Sequence, residues 1–264
     1  MLIKLLKYDL KWTLKTIYVF LGLGLFFGIV GRLLNLCFDS LFFDIVSAIF
    51  IGAGLSLTIS GIINVIIRSW VRFTMNLYKD ESYLTNTLPI ERNIHYLSKA
   101  LHSIIGVVIS TFVLVVNLFI MYYSEETLEL LKSSLNILSD TLDISLFWFI
   151  FLVVAVVFME ILFIIECGYF GIIFGYSHNN KKGLYTFIYG FVAYMVCTLI
   201  TFILLAIFTL FNEGLYDIIF VGNMMIEFGL LKGIIVFALV IYTVYTIVLY
   251  LISNWKFKKG INID

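Results

Sequence analysis

The chain has 264 residues, of which 62% are hydrophobic and 13% charged, with 17 Lys and Arg balancing 17 Asp and Glu and a mean hydropathy of +1.08. Soluble domains run at roughly 45–50% apolar and about 25% charged residues, so the composition excludes an ordinary soluble domain and predicts an all-α polytopic membrane protein. No nucleic-acid partner is expected. A single proline, Pro89, suits long uninterrupted helices, because proline removes a helical N–H and clashes with the turn before it.

From the N-terminus, residues 1–15 place Lys4, Lys7, Lys11 and Lys15 on one narrow sector of a helix, with Leu2, Ile3, Leu5, Leu6, Leu10 and Leu14 opposite. The pattern predicts an amphipathic elbow helix lying in the membrane interface, either a plain basic anchor or one that also touches a cytosolic subunit. A spanning helix needs ~20 mostly apolar residues, and six stretches qualify, near 16–38, 44–67, 100–123, 144–176, 184–211 and 228–253. The first is longer than a signal-peptide core and lacks a following A-x-A-like site, so it is expected to be retained. The second carries Gly52, Ser56, Ser60 and Asn64 at intervals of four, with Gly54, Thr58 and Gly61 on another side. Such stripes either let helices approach closely or line a cavity.

The polar segment 68–99 separates the second and third spans and contains Asp80-Glu81-Ser82-Tyr83-Leu84-Thr85-Asn86-Thr87-Leu88-Pro89. Asp80 can cap a short helix, Pro89 can end it, and Tyr83, Leu84, Thr87 and Leu88 give it an apolar edge. Beyond the third span, Leu128, Leu131, Leu135, Leu138 and Leu142 predict an amphipathic outer helix over 124–143, started by Ser124 with Glu125 and Glu126 in its first turn. Glu160 and Glu166 lie inside the fourth span, where carboxylates are costly and face a partner or a cavity. Glu160 can be protonated, pair with Arg32 or bond to neighbouring hydroxyls, in a structural or a transport role, whereas Glu166 reads as structural. The fifth span carries Tyr185, Tyr189, Tyr194, Thr198 and Thr201, either wetting a path or serving as interfacial groups. Residues 212–227 are too apolar for a solvated loop and too short to cross, which predicts a re-entrant outer segment.

Of the 17 basic residues, only Arg32, Lys132 and Lys232 fall on one side of this arrangement. The positive-inside rule therefore puts both termini, the 68–99 segment and the 176–183 loop in the cytosol. Cys37, Cys167 and Cys197 form no C-x-x-C pattern, and His95, His102 and His178 lack convergent carboxylates or thiolates, so no metal site is expected. The chain has no G-x-x-x-x-G-K-[ST], H-E-x-x-H or G-x-S-x-G motif, so it is not expected to be an enzyme and no catalytic residue is assigned.

With six spans, an amphipathic start, the 80–90 segment ending Leu88-Pro89-Ile90, and Ser98-Lys99 entering the third span, the chain resembles permease subunits of type-2 ABC exporters. In that family a D-E-x-Y-L-T-x-T-L-P-[IV] stretch forms the coupling helix that docks on a separate ATPase chain. Glu91 before Arg92 departs from the commonest pattern, in which a hydroxyl or basic residue follows. The resemblance implies that Asp80, Glu81, Tyr83, Leu84, Thr85, Thr87, Leu88, Pro89, Glu91 and Arg92 meet the ATPase. It implies two ATPase subunits carrying ATP and Mg, no cofactor on this chain, and a second permease, identical or related, in a plasma membrane. The 1–264 chain would then be one permease domain. Ser56, Ser60, Asn64, Glu160, Tyr194, Thr198 and Thr201 are candidates for its substrate path, and the cargo is expected to be lipophilic or amphipathic, such as an antimicrobial peptide, a drug or a lipid-like molecule. The alternatives are a proton-coupled secondary transporter using Glu160 and a non-transporting scaffold or sensor.

Overall fold

A computed structural model of the chain describes residues 2–142, 145–212, 216 and 228–260, and all regular structure among them is α-helical. Six of its helices are long and apolar enough to cross a membrane, the signature of a multi-pass membrane protein. Within the domain expected over 1–264, the described residues gather into two compact units, one within Met1–Glu129 and one within Leu130–Asn262.

The first unit is built from α1 (Leu2–Cys37), α2 (Leu41–Tyr78), the short α3 (Ser82–Thr87) and α4 (Arg92–Tyr122). The expected elbow and first span are one continuous helix. Nothing near residue 15 breaks it, and its buried face runs unbroken through Asp9, Thr13, Ile17, Leu21, Gly24, Gly28 and Gly31 at helical spacing. A single seam from end to end keeps the N-terminal turns packed with the rest, while Lys4, Lys7, Lys11 and Lys15 remain on the open side as their pattern predicts.

The polar segment also proves more helical than expected, because α2 runs on to Tyr78 and α4 starts at Arg92. Charged residues do not end a helix; they only move it out of the apolar layer. At 1.5 Å per residue, the 38 residues of α2 extend about 57 Å, well beyond a hydrocarbon core of roughly 30 Å.

In the apolar part of this unit, α1, α2 and α4 pack pairwise. A Cβ on Gly54 would lie 2.9 Å from both the Gly24 carbonyl oxygen and the Gly28 nitrogen, so α1 and α2 touch backbone to backbone. Asn117 of α4 closes the seam, donating to Thr58 Oγ1 at 2.6 Å and to the Gly24 carbonyl at 3.3 Å. Packing thus uses Gly54, Thr58 and Gly61, while the Gly52, Ser56, Ser60 and Asn64 stripe is open or half-buried. Arg32 donates to the Tyr123 carbonyl within the same unit.

The amphipathic helix expected over 124–143 appears as α5 (Glu125–Leu142). Ser124 caps it as expected: its Oγ accepts the Thr127 backbone N–H at 3.0 Å. Leu128 and Leu135 are half-buried and Leu131 is exposed. Ser124→Ala is expected to cost about 1 kcal/mol of local helix stability, read as faster hydrogen exchange confined to the first turn of α5.

The second unit contains α6 (Leu146–Gly175), α7 (Lys182–Leu210) and α8 (Phe228–Lys259). Both α7 and α8 pack on α6. A Cβ on Gly171 would sit 2.8 Å from Gly190 Cα, so α6 and α7 meet closely there. Lys181 reverses the chain between them with φ of 52°. Towards the middle, Phe163 and Cys167 of α6 join Ala193 and Cys197 of α7 and Ile241, Tyr245 and Leu249 of α8 in one apolar core. The buried cysteines therefore serve as packing groups. Apart from Asn212 and Tyr216, the segment expected to re-enter over 212–227 lies outside the described residues.

Candidate functional site

The short helix α3 sits where the chain passes from α2 to α4. Residue 80 does not cap it; Glu81 occupies the N-cap position and makes no side-chain cap bond. Instead, the Glu81 carbonyl accepts both the backbone N–H and the hydroxyl of Thr85, each at 3.0 Å, and its carboxylate is drawn elsewhere. Pro89 ends the helix as expected. Leu88 takes the extended conformation, φ −66° and ψ 134°, that the ring of a following proline imposes.

Beneath α3 lies a charged cluster closed by residues from three long helices. Asp9 of α1, only 2% exposed, accepts Arg72 Nε from α2 at 2.9 Å and Lys99 Nζ from α4 at 2.6 Å on Oδ1. Ser98 donates to its Oδ2 at 3.0 Å. The Arg72 guanidinium also reaches outward, its Nη1 bonding both carboxylate oxygens of Glu81 at 2.8 and 3.0 Å. Asn76 adds bonds to Glu81 at 2.9 Å and Thr85 at 3.1 Å. Trp12 stacks under Arg68 and Arg72, with guanidinium carbons 5.1 and 5.4 Å from its ring centroid. Phe73, Leu77 and Tyr96 are fully buried around the cluster, and this apolar surround keeps water from competing for the ion pairs.

A buried pair of this kind adds little over an apolar substitute, yet leaving one member unpaired is costly, so its geometry is strongly enforced. The Arg72 guanidinium of α2 therefore ties the start of α3 to α1, and the Asp9 carboxylate ties α1 in turn to Lys99 and Ser98 of α4. Of the predicted contact residues, Glu81 and Thr85 face this interior. Asp80, Tyr83, Leu84, Thr87, Leu88, Pro89, Glu91 and Arg92 are on the open side. Tyr83 is 72% and Leu84 77% exposed, an apolar edge on a helix whose other face is held rigidly.

Asp9 was not among the residues singled out by sequence, although a signal exists. It is the first acid in the chain and sits on the leucine side of the lysine-flanked segment, where a solvated carboxylate has no place. His95 and His102 are both buried beside this cluster.

The residues expected along a path separate between the two units. Ser56 is exposed, and Ser60 and Asn64 are half-buried in the first, with Asn64 donating to the Ser60 carbonyl at 2.9 Å. In the second, Glu160, Tyr194, Thr198 and Thr201 converge on one cavity of about 200 Å³. Periodicity on single helices could not reveal the rest of that lining, above all Tyr242 and Tyr245 of α8. Glu166 is buried away from it, in keeping with a structural role. Among the described residues, no group of three or more His, Cys, Asp or Glu side chains is placed to hold a metal ion. No family model, no curated protein and no solved structure matches the chain.

Proposed function

We propose that the chain is the membrane-embedded subunit of an ATP-driven exporter of the type-2 ABC kind, with α3 as the helix that docks on a separate ATPase. The observation that carries this reading is the pairing of an exposed apolar edge, Tyr83 and Leu84, with a buried charge anchor under the same short helix. An exposed apolar edge beside charged residues needs a partner to cover it. Through the chain Glu81–Arg72–Asp9–Lys99, a push on the outer face of α3 reaches α2, α1 and α4.

In this reading the excess of Lys and Arg puts both termini and α3 on the cytoplasmic side of the cell membrane. Two ATPase subunits bind ATP and Mg, and a second permease copy or relative completes the assembly. Closure of the ATPases on nucleotide presses on α3 and moves the spans between inward and outward access. The cargo is a lipophilic or amphipathic molecule. A proton-coupled carrier is the second reading, favoured by Glu160, whose carboxylate takes no hydrogen bond or ion pair among the described residues.

Co-purification in mild detergent with a co-expressed candidate ABC ATPase subunit tests the proposal. Leu84→Arg combined with Leu88→Arg is expected to cut ATPase capture at least tenfold, roughly 1.4 kcal/mol or more, while the thermal stability of this chain stays unchanged because both side chains face outward. Unaltered capture would sink the docking assignment. Transport that continues without nucleotide and collapses with the proton gradient would favour the carrier instead.

A further inference from the structure

The cavity of the second unit combines features whose chemistry points one way. Glu160 lies midway along α6, at a depth where an ionised carboxylate facing lipid is costly. Its neighbours are rings: Phe163 of α6 stands 5.9 Å from the Tyr194 ring of α7 and 5.7 Å from each of the Tyr242 and Tyr245 rings of α8. The cavity's hydroxyls are largely committed. Thr198 donates to the Tyr194 carbonyl at 2.9 Å, and Thr201 bonds both the Cys197 carbonyl and the Tyr245 hydroxyl at 3.0 Å. Among the described residues the Glu160 carboxylate makes no hydrogen bond or ion pair, and with the Tyr194 and Tyr242 hydroxyls it is left beside aromatic faces as the cavity's acidic group.

An anion would meet the Glu160 charge, and a neutral hydrocarbon would leave the carboxylate stranded. A small metal ion needs several hard ligands, whereas this cavity offers a single carboxylate. An organic cation satisfies both parts at once, since its charge neutralises the carboxylate and its alkyl surface lies against tyrosine rings. Since an apolar cavity of ~150 Å³ holds benzene, the ~200 Å³ here admits a compact head group and not a whole drug-sized molecule.

We infer that the cavity bounded by Glu160, Phe163, Tyr194, Tyr242 and Tyr245 is a binding site for an organic ammonium group, the cationic head of an amphipathic ligand. As the docking point of an exported cargo it rests on the exporter reading; as a binding site it stands on the cavity alone.

The test uses the full chain purified in dodecyl maltoside, a detergent without an ammonium group, with radiolabelled tetraethylammonium as the probe. Saturable binding with half-saturation at or below about 1 mM is expected. Glu160→Gln keeps the shape and removes the charge, and is expected to weaken binding at least tenfold. Tyr242→Leu keeps apolar volume but removes a π face, and is expected to weaken it severalfold. The second variant carries the test should the first fail to fold.

Absence of saturable binding to the wild-type chain, or equal binding by wild type and both variants, overturns the inference. So does proton uptake that depends on Glu160 without any ammonium binding. Because no ATPase is present, a negative result removes the cation site and leaves α3 docking untouched. Failed ATPase capture, conversely, leaves a positive binding result standing.

Discussion

Asp9→Ala is expected to destabilise the full chain by about 3–5 kcal/mol, the cost of leaving a buried charge without its counter-ion. The magnitude follows from the company Asp9 keeps, because its removal takes an ion-pair partner from two buried cations. Lys99, whose side chain is 2% exposed, loses the carboxylate 2.6 Å from its Nζ, and Arg72 is left with Glu81 on the open side and the Trp12 ring. Denaturant unfolding of the purified protein in micelles measures the loss. Adding Lys99→Met, which removes one of these buried cations and keeps much of the side chain's volume, is expected to recover part of it, giving a non-additive pair. A single variant as stable as the wild type would show that the cluster carries no structural weight.

Gly54→Leu is the second large effect, expected at about 3 kcal/mol, the upper end of ordinary overpacking. The added carbons have nowhere to go, because the first of them already meets the Gly24 carbonyl oxygen and the Gly28 nitrogen at 2.9 Å, and backbone cannot rotate aside as a side chain can. Gly52→Leu is the matched control. A Cβ there meets nothing within 4 Å, so its effect should stay within about 0.5 kcal/mol. Equal losses from the two variants would show that the close approach of α1 and α2 does not govern the response.

These two residues also mark what the sequence could and could not disclose. The six spans, the cap at Ser124 and the stop at Pro89 are local statements, written in apolar run length, one hydroxyl and one ring, and each was legible. The stripes on α2 were visible too, but both were rich in small or polar groups. Only the position of α1 decides that Gly54 and Thr58 pack while Ser56 stays open. Asp9 is a harder case, since its partners Arg72 and Lys99 lie 63 and 90 residues away. No period within one helix encodes that meeting. The Glu160 cavity was half legible for the same reason, its α6 and α7 residues coming from marked polar positions and its α8 tyrosines from a helix that reads as uniformly apolar.

The separation of Asp9 from Lys99 has a consequence for biosynthesis. A membrane chain is delivered to the bilayer in order, so α1 is released with its carboxylate unpaired. Arg72 supplies the first counter-charge only when the far end of α2 has been made, and Lys99 the second when α4 begins. Until then the amino-terminal turns have every reason to keep Asp9 in the aqueous headgroup layer, with the nearby lysines holding them there. Closure of the ion cluster is therefore a late step, and it links α4 to the Asp9 that also holds Arg72, the anchor of Glu81. A nascent chain arrested before α4 would carry the residues of α3 without the lysine that completes the ion cluster beneath it.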